Sequence, residues 1–261
     1  MDKAQRIEKI ARIEEDRILL AKVYDKIMVG VCRQIPASTM FLTPREQQLV
    51  KTLFRDVDVV FFGGVSGAER GICLYLPDYL SIDDLEGADC PVCAVRASFY
   101  AADDLCHRDF LGGLMACGIK RETVGDIFVS PGSCDFLVTR EILPYLLQNF
   151  QSAGRTKLQL EQIALSDISV PEAKTEEIRT TVPSLRLDCI VGAGFGLARA
   201  KAADCIESGR VSLNDIPVLK PDKPAAEGDK ISLRGMGKIQ LKSIDGKTRK
   251  DRLGITVCRF R

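Results

Sequence analysis

The segment IVGAGFGLARAKAADC, residues 190–205, carries glycines at a spacing that could hold the phosphates of a dinucleotide. Gly192 and Gly194 fit the first and third positions of the G-x-G-x-x-G fingerprint, but Leu197 stands at the sixth. The fingerprint should follow a strand, whereas these residues continue a helical repeat that begins after Ser184, a suitable N-cap. The sequence therefore favours a tight turn between two helices over a flavin or nicotinamide site.

The only histidine lies in a second motif with catalytic residue types, His-Arg-Asp at residues 107–109. A kinase catalytic loop would have an asparagine five residues after the aspartate, where this chain has Leu114. Asp109 would instead be favoured near the positive end of a helix that Asp104 or Cys106 caps. A structural role is therefore predicted for this motif.

Cys90 and Cys93 form a lone C-x-x-C, with Cys106 and His107 as conceivable further ligands. A structural zinc site needs four donors around one ion. If PVCAVRASFY is a strand, however, the first two cysteines point to opposite faces of its sheet. We therefore expect buried apolar cysteines and no metal site.

The composition excludes several classes of protein. No apolar run approaches the ~18 residues of a membrane helix, and the charged first 28 residues cannot be the core of a secretion signal. Ten cysteines without an export signal indicate reduced thiols, so we expect a cytoplasmic protein with no membrane partner. G-x-S-x-G, H-E-x-x-H and a distinctive carboxylate pair are all missing from the sequence. We therefore expect a binding protein that is not an enzyme and has no cofactor.

The order of elements predicts an α+β fold that begins with a helical and hairpin region over residues 1–85. Apolar residues at helical spacing over residues 1–28 predict one amphipathic helix, and Thr43 is a plausible N-cap for a second. The runs VDVVFF and ICLYL, separated by GGVSGAERG, predict a hairpin of two strands.

Residues 86–166 follow the order β-α-β-β-α-β, the ferredoxin-like (RRM-like) arrangement that many RNA-binding modules share. The aromatic-rich RNA-binding signature expected on the third strand is absent, since DFLVTR offers only Phe136. RNA contact through this sheet therefore has no support in the sequence. The predicted strands are residues 91–100, 125–130, 135–140 and 157–165, and the predicted helices are residues 107–118 and 141–150.

Residues 167–182 are polar and lack periodicity, which predicts a linker. Residues 183–261 are predicted to form two helices followed by a small antiparallel sheet. SLRLDCIV and LARAKAADCIESG predict the helices, with AGFG between them. RVSLN, KISLR, KIQLKSI and GITVCRF alternate apolar and polar residues as strands do, and turn residues separate them.

The net charge of +1 conceals an asymmetry between the two ends of the chain. Residues 183–261 have 16 Lys and Arg against 9 Asp and Glu, whereas residues 1–182 have 21 against 27. Arg199 and Lys201 are expected in the first turn of the second helix, where backbone amides already favour phosphate. A basic module on an acidic body is what a polyanion-binding domain would produce, although a solvated basic tail stays open on charge alone.

Several segments of the basic region resemble the S4-type RNA-binding domain. They are SLRLDCIV, GFGLARAKAADCIESGRVSLN, EGDKISLRGMGK and the tail after DGKTRKDR. Upstream, the chain is similar to the bacterial YlmH type, so the resemblance spans nearly its whole length. The upstream segments are FLTPREQQLV, FFGGVSGAERGICLYLPDYL, CHRDFLGGLMACGIKRETVGDIFV and GRTKLQLEQI.

The resemblance implies a set of RNA-binding residues in the S4-type domain at residues 183–261. The basic residues of the paired helices, the strand-end asparagine and the lysine after the glycine pair match the family pattern. Ala198 departs from it, because a serine usually precedes the arginine, and Asp215 adds a negative charge where glycine or a bulky residue is common. The expected RNA-binding residues are Arg186, Arg199, Lys201, Arg210, Asn214, Arg234 and Lys238.

The resemblance also implies partners: rRNA of the large ribosomal subunit, tRNA or peptidyl-tRNA, and division proteins. On this basis we expect a monomeric RNA binder that acts in ribosome-associated quality control of stalled translation. One alternative is an RNA-modifying enzyme of the pseudouridine synthase type, because S4-type domains are often appended to such enzymes. Their Arg-Leu-Asp signature lies in a catalytic domain, whereas here it lies at residues 186–188, inside the binding module itself. Another is a cell-division-associated scaffold that uses acidic residues 1–182 as its binding surface.

Overall fold

The computed structural model describes residues 2–85, 87–171, 175–247 and 251–260. The chain forms two compact units, residues 1–171 and 172–261. Helices and strands are mixed throughout, so the predicted α+β class is confirmed. In the described ranges, no helix is both long and apolar enough to cross a bilayer.

The first unit begins with a helical part and a three-stranded antiparallel sheet in the order β1-β3-β2. The hairpin of β2 and β3 occurs as predicted, but β1, the other neighbour of β3, was not predicted. The helices are α1 (Lys3–Ile10), α2 (Glu14–Arg33) and α3 (Pro44–Leu53), and the strands are β1 (Ala37–Leu42), β2 (Val60–Phe62) and β3 (Gly71–Tyr75).

The single helix predicted over residues 1–28 is wrong, because the chain breaks at residues 11–13 into α1 and α2. The buried carboxylate of Asp16, in the first turn of α2, accepts a hydrogen bond from the Arg12 amide and two from the Arg45 guanidinium. This polar anchor fixes the turn between the helices. The predicted N-cap of α3 is confirmed, since Thr43 and Glu46 form a capping box.

A four-stranded antiparallel sheet with two helices follows in the same unit. Its strands lie in the order β5-β6-β4-β9, and a two-residue hairpin, β7-β8, precedes β9. The elements are β4 (Val92–Ser98), α4 (His107–Ala116), β5 (Val124–Ser130), β6 (Ser133–Thr139), α5 (Leu143–Asn149), β7 (Ser152–Ala153), β8 (Thr156–Lys157) and β9 (Gln159–Ile163).

This sheet is buried on both faces. One face packs against α4 and α5 around Phe110, Phe136 and Phe150. The opposite face joins a second core with Phe41 of β1 and Ile72 of β3, so the amino-terminal sheet covers it. The boundary predicted between residues 85 and 86 therefore does not separate two compact units.

Cys90 and Cys93 lie in the two different cores of this sheet. Both thiols are buried, and burial raises the pKa of Cys93. The described residues hold no cluster of three or more metal-ligating side chains. The strand geometry thus separates the two cysteines, as their spacing indicates.

The second unit is a six-stranded antiparallel sheet, in the order β10-β15-β14-β13-β11-β12, with two helices packed on one face. Buried Ile and Leu alternate along β13 and β14 with residues that face away from this core. The elements are β10 (Thr175–Val182), α6 (Leu187–Phe195), α7 (Arg199–Glu207), β11 (Val211–Leu213), β12 (Ile216–Pro217), β13 (Lys230–Leu233), β14 (Gly237–Lys247) and β15 (Leu253–Phe260).

The linker predicted at residues 167–182 is wrong for its second half, because residues 175–182 form β10 and pair with β15 along their whole length. As an edge strand, β10 exposes most of its side chains, and its polar sequence shows little of the usual apolar alternation. Residues 172–174 of this predicted linker, and residues 248–250 of the DGKTRKDR segment, lie outside the described residues.

Two predictions about the helix pair need correction. Ser184 is not the N-cap of α6; Arg186 is, and carbonyls of Lys223 and Pro221 accept from the first amides of the helix. The segment AGFG is not the turn, since three of its residues belong to α6 and only Gly196 ends the helix, with φ +67°. A hydroxyl cap is unnecessary because backbone carbonyls already satisfy these amides.

The glycines of α6 allow the helix to approach its neighbours closely. A Cβ at Gly194 would lie 2.4 Å from Cδ1 of Ile239 in the sheet, and a Cβ at Gly192 would lie 3.1 Å from the Leu197 carbonyl oxygen. Packing therefore explains the glycine spacing that first suggests a dinucleotide site.

Candidate nucleic-acid interface

One buried carboxylate holds two of the predicted RNA-binding arginines. The side chain of Asp188, 4% exposed, accepts hydrogen bonds from Nε and Nη2 of Arg186 at 3.2 and 3.1 Å. Its Oδ2 also accepts from Nε of Arg199 at 3.0 Å. Asp188 thereby links the start of α6 to the start of α7, 11 residues later in the chain.

The charges in this cluster favour an anion at its surface. Burial alone would raise the pKa of Asp188, but the hydrogen bonds from Arg186 and Arg199 outweigh it and place the pKa below its usual range. The carboxylate is therefore ionised at neutral pH. The side chains of Arg186 and Arg199 remain 41% and 58% exposed, whereas Asp188 is buried, so the accessible surface of the cluster is cationic.

The amino end of α7 adds backbone donors to this cluster. Amides of the first turn have no intrahelical acceptor in any α-helix, and the N-cap here, Ala198, offers them no side-chain acceptor. Arg199 is the first helical residue and Lys201 the third, and both are exposed. Two cations and the helix dipole therefore act at the same helix end.

Replacing Ala198 by serine is expected to stabilise the protein by about 1 kcal/mol, because a hydroxyl would accept from a first-turn amide. The backbone of Ala198, with φ −60° and ψ 143°, already has the N-cap conformation. Thermal unfolding would show a higher Tm for this variant. Ala200→Ser, one position inside the same turn, serves as the control and should give no gain.

Two further predicted residues, Arg210 and Arg234, form a separate group beyond the other end of α7, and a third, Lys238, lies on β14. Nη2 of Arg210 donates to the Arg234 carbonyl at 3.1 Å, and the Arg234 amide donates to the Arg210 carbonyl at 3.0 Å. Lys238 is half-buried on β14, opposite Ser232. The nine residues of α7 span about 13 Å at 1.5 Å per residue, which separates this group from Arg199.

Asn214 is placed in a turn that uses its side chain internally. Its Oδ1 accepts from the Lys230 amide at 2.9 Å and its Nδ2 donates to Asp229 at 2.8 Å. Asn214 and Asp215 have φ of +50° and +61° and form the two-residue loop between β11 and β12. This geometry fits a type I′ turn and favours a structural role for Asn214.

Asp215→Gly is expected to raise stability by up to about 1 kcal/mol, because glycine has no Cβ penalty at positive φ. Unfolding in urea would measure the gain. Asn214→Gly gives the same conformational relief but removes both side-chain hydrogen bonds, and it should destabilise. Equal gains from the two variants would contradict a structural role for the Asn214 amide.

Comparison with known proteins places the chain in a family. Residues 99–167 match a family model described as the putative RNA-binding domain in YlmH. Over 222 residues, which are 84% of this chain and 85% of the relative, it is 34% identical to ribosome-associated protein quality control protein P2 of Bacillus subtilis (strain 168). The chain belongs to the YlmH family.

A solved structure shares part of the fold of this YlmH-family chain. The cell division protein ylmH from Streptococcus pneumoniae aligns with a TM-score of 0.50 at 20% identity. The alignment covers 62% of this chain and 98% of that structure. This likeness extends to the fold alone.

The second unit of this YlmH-family chain also contains contacts that have no local sequence signal. In the sequence Asp188 stands out only as the acid of an Arg-Leu-Asp signature, whereas in the structure it fixes two arginines. The guanidinium of Arg259 lies 5.9 Å from the ring centroid of Phe195, the last residue of α6. A cation–π contact between residues 64 positions apart has no local sequence signal.

The His-Arg-Asp motif caps a helix in this YlmH-family protein. Cys106, rather than Asp104, is the N-cap of α4, and Oδ2 of Asp109 accepts from the Cys106 amide at 2.9 Å. The hydrogen bonds from Cys106 lower the pKa of Asp109. Partial desolvation, together with the charge of Arg121, lowers the pKa of His107.

Proposed function

We propose that this YlmH-family protein binds RNA at the large ribosomal subunit through an S4-type domain formed by its second unit. The observation that carries the proposal is the pair of arginines held by Asp188 beside the uncapped amino end of α7. Such an arrangement suits phosphate oxygens, because fixed guanidinium groups and helix amides both donate to them.

The relatives support the same biological setting. One relative is named as a ribosome-associated quality control protein, and the family model describes a putative RNA-binding domain. We propose that this protein likewise acts on stalled translation, with large-subunit rRNA and a tRNA or peptidyl-tRNA as its ligands. Phosphate contacts and shape would dominate binding, since no exposed aromatic row lies on the second unit among the residues described.

We propose that binding, not catalysis, is the activity of this protein. Asp188 is the acid of the Arg-Leu-Asp signature, yet it lies buried beneath two guanidinium groups. That position supports a structural role over attack on a uridine base. The ferredoxin-like topology of β4 to β9 supports the assignment of residues 86–166 as the second RNA-associated part of the chain.

The test is sedimentation of purified large subunits with the full chain carrying Arg199→Glu and Lys201→Glu. We expect the double variant to lose subunit association while it remains folded at the assay temperature. Its Tm should fall, because Arg199→Glu removes the hydrogen bond to the buried carboxylate of Asp188. Lys242→Glu with Lys247→Glu makes the same change of charge at lysines that pair with Glu177 and Asp251. Association of the first variant equal to that of wild type would refute the proposal.

A further inference from the structure

RNA cannot reach the four-stranded sheet of the first unit through the face that RNA-binding modules of this topology often use. The amino-terminal sheet packs against that face, with Ile72 and Val92 almost fully buried in the shared core. A different surface lies beside the start of edge strand β5. Two arginines from different parts of the chain, Arg70 and Arg121, lie there.

Arg70 and Arg121 meet at the start of β5, where both donate hydrogen bonds to backbone carbonyls. Nε of Arg70 and Nη1 of Arg121 both donate to the Val124 carbonyl oxygen, at 3.0 and 2.5 Å. Nη2 of Arg70 also donates to the carbonyls of Phe41 and Arg121. Among the residues with described positions, neither arginine makes an ion pair within 4.0 Å. Two half-buried positive charges therefore share one acceptor.

Burial and the charge of Arg121 lower the pKa of Arg70 more than Glu46 and Asp126 raise it, so these acids offset only part of the positive charge. Oδ2 of Asp126 accepts from the Glu69 amide at 2.6 Å and Oδ1 from the Arg70 amide at 3.1 Å. Burial raises the pKa of Asp126, and burial together with the charge of Arg121 lowers the pKa of Arg70 to about 10. Both pKa shifts show that burial disfavours the charged form of the side chain.

A cavity of about 420 Å³ opens beside the two arginines. Helices α3 and α4 both begin at it, through Pro44 and His107, and the capping carboxylates of Glu46 and Asp109 lie in their first turns. Glu69 and Asp126 also line the cavity. Its dimensions lie within the range of small-ligand sites, so a phosphate group has room to enter.

We propose that Arg70 and Arg121 bind a phosphate group and that the RNA backbone supplies it. The claim that RNA supplies the phosphate rests on the proposed function, whereas the claim that the two arginines bind phosphate does not. Arg121 belongs to the region matched by the RNA-binding family model, and Arg70 reaches it from the amino-terminal sheet. The amino-terminal region thus contributes one of the two ligand-binding residues.

The phosphate site is tested by thermal unfolding of the full chain in inorganic phosphate and in sodium chloride of equal ionic strength. The chain carries Arg199→Gln and Lys201→Gln, so that α7 contributes little to the difference. We expect phosphate to raise the Tm of the first unit, Arg121→Gln to abolish the rise and Arg121→Lys to retain part of it. Arg17→Gln is the control, since Arg17 pairs with Glu8 and Glu14.

A purely structural pair of arginines would behave differently. Arg121→Gln would then lower the Tm equally in chloride and in phosphate, and the rise caused by phosphate would be the same as in the unsubstituted chain. That result overturns the site. Loss of the phosphate response by Arg121→Gln with little change of Tm in chloride supports it, because the substitution also relieves the repulsion with Arg70.

The RNA source is tested by binding of purified large-subunit RNA over a series of salt concentrations. We expect Arg121→Gln in the otherwise wild-type chain to weaken binding about threefold to tenfold and to reduce the salt slope by about 0.7 to 0.9, the loss of one phosphate contact. A phosphate response with unchanged RNA affinity means that a free phosphate compound occupies the site. Failure of the wild-type chain to bind RNA refutes the proposed function, while the thermal test still decides the site.

Discussion

Replacing Asp188 by asparagine should weaken binding to large ribosomal subunits about tenfold, although Asp188 itself carries the charge that RNA repels. The carboxylate accepts three hydrogen bonds from Arg186 and Arg199, and an amide cannot accept all of them with the same strength. Without the negative charge, the two guanidinium groups repel each other and lose their fixed position. Pre-organisation of the phosphate donors is therefore lost.

Asp204→Asn is the matched control for this prediction. Asp204 is an exposed acid on α7, so its substitution removes the same charge without disturbing the arginines. On charge alone, both variants should bind RNA slightly more tightly than wild type. If Asp188→Asn binds as tightly as Asp204→Asn in a subunit-binding titration, the positioning role of Asp188 is wrong.

The Asp188 carboxylate should also make the free energy of unfolding depend on pH. Because the folded-state pKa of Asp188 is lowered, its ionised form stabilises the folded state at neutral pH, and that contribution is lost as pH falls through the folded pKa. Denaturant unfolding of wild type should therefore lose more free energy between neutral and acidic pH than Asp188→Asn does. This comparison separates a loss of folding from a loss of RNA contact.

Gly194→Ala should destabilise the second unit by about 2 kcal/mol, the cost of overpacking a filled core. The added Cβ would lie 2.4 Å from Cδ1 of Ile239 and 3.3 Å from Cγ1 of Val257, and both of these side chains are fully buried. Because both side chains are fully buried, a shift of either one disturbs its packing in the core. Helix propensity favours alanine, but only by about 1 kcal/mol, so the steric cost is larger.

Gly112→Ala is the same chemical change, but it should have the opposite effect on stability. Gly112 lies inside α4, is exposed, and has no heavy atom within 4 Å of an added Cβ. Its substitution should raise the stability of the first unit by up to about 1 kcal/mol. Calorimetry resolves the two units if they melt separately. A gain in stability from Gly194→Ala would contradict the close packing of α6 on the sheet.

The regular parts of the fold were predictable because their patterns are local. Alternating apolar residues in KISLR and KIQLKSI predict β13 and β14, since one face of that sheet is buried. The capping residues Thr43 and Cys106 likewise mark the starts of α3 and α4. A helix end or a half-buried strand can be recognised from a few consecutive residues.

The elements that were missed depend on their neighbours. Strand β10 has the polar sequence TEEIRTTV and becomes a strand because β15 lies beside it in full register. Strand β1 needs β3 in the same way, and a bulge interrupts their pairing. An edge strand forms its backbone hydrogen bonds with a neighbour, and almost any sequence can do so. Composition therefore predicts such strands poorly.

The candidate interface was predictable as a set of charges but not as a geometry. The basic residues of α7 follow from the sequence, whereas the role of Asp188 requires α6 and α7 to be placed side by side. Asn214 was expected at the RNA surface, yet its positive φ and internal hydrogen bonds depend on the turn in which it lies. The geometry of the candidate interface therefore depends on contacts between residues far apart in the sequence.

The pairing of β10 with β15 has a mechanical consequence. Strands β10 and β15 are antiparallel. Thr175 at the start of β10 therefore lies opposite Phe260 at the end of β15, and Val182 lies opposite Leu253. A pulling force applied between Thr175 and Phe260 would load the hydrogen bonds of this pair one after another, like a zipper. Applied between Val182 and Phe260, it would load them together in shear, and the same strands would resist a larger force.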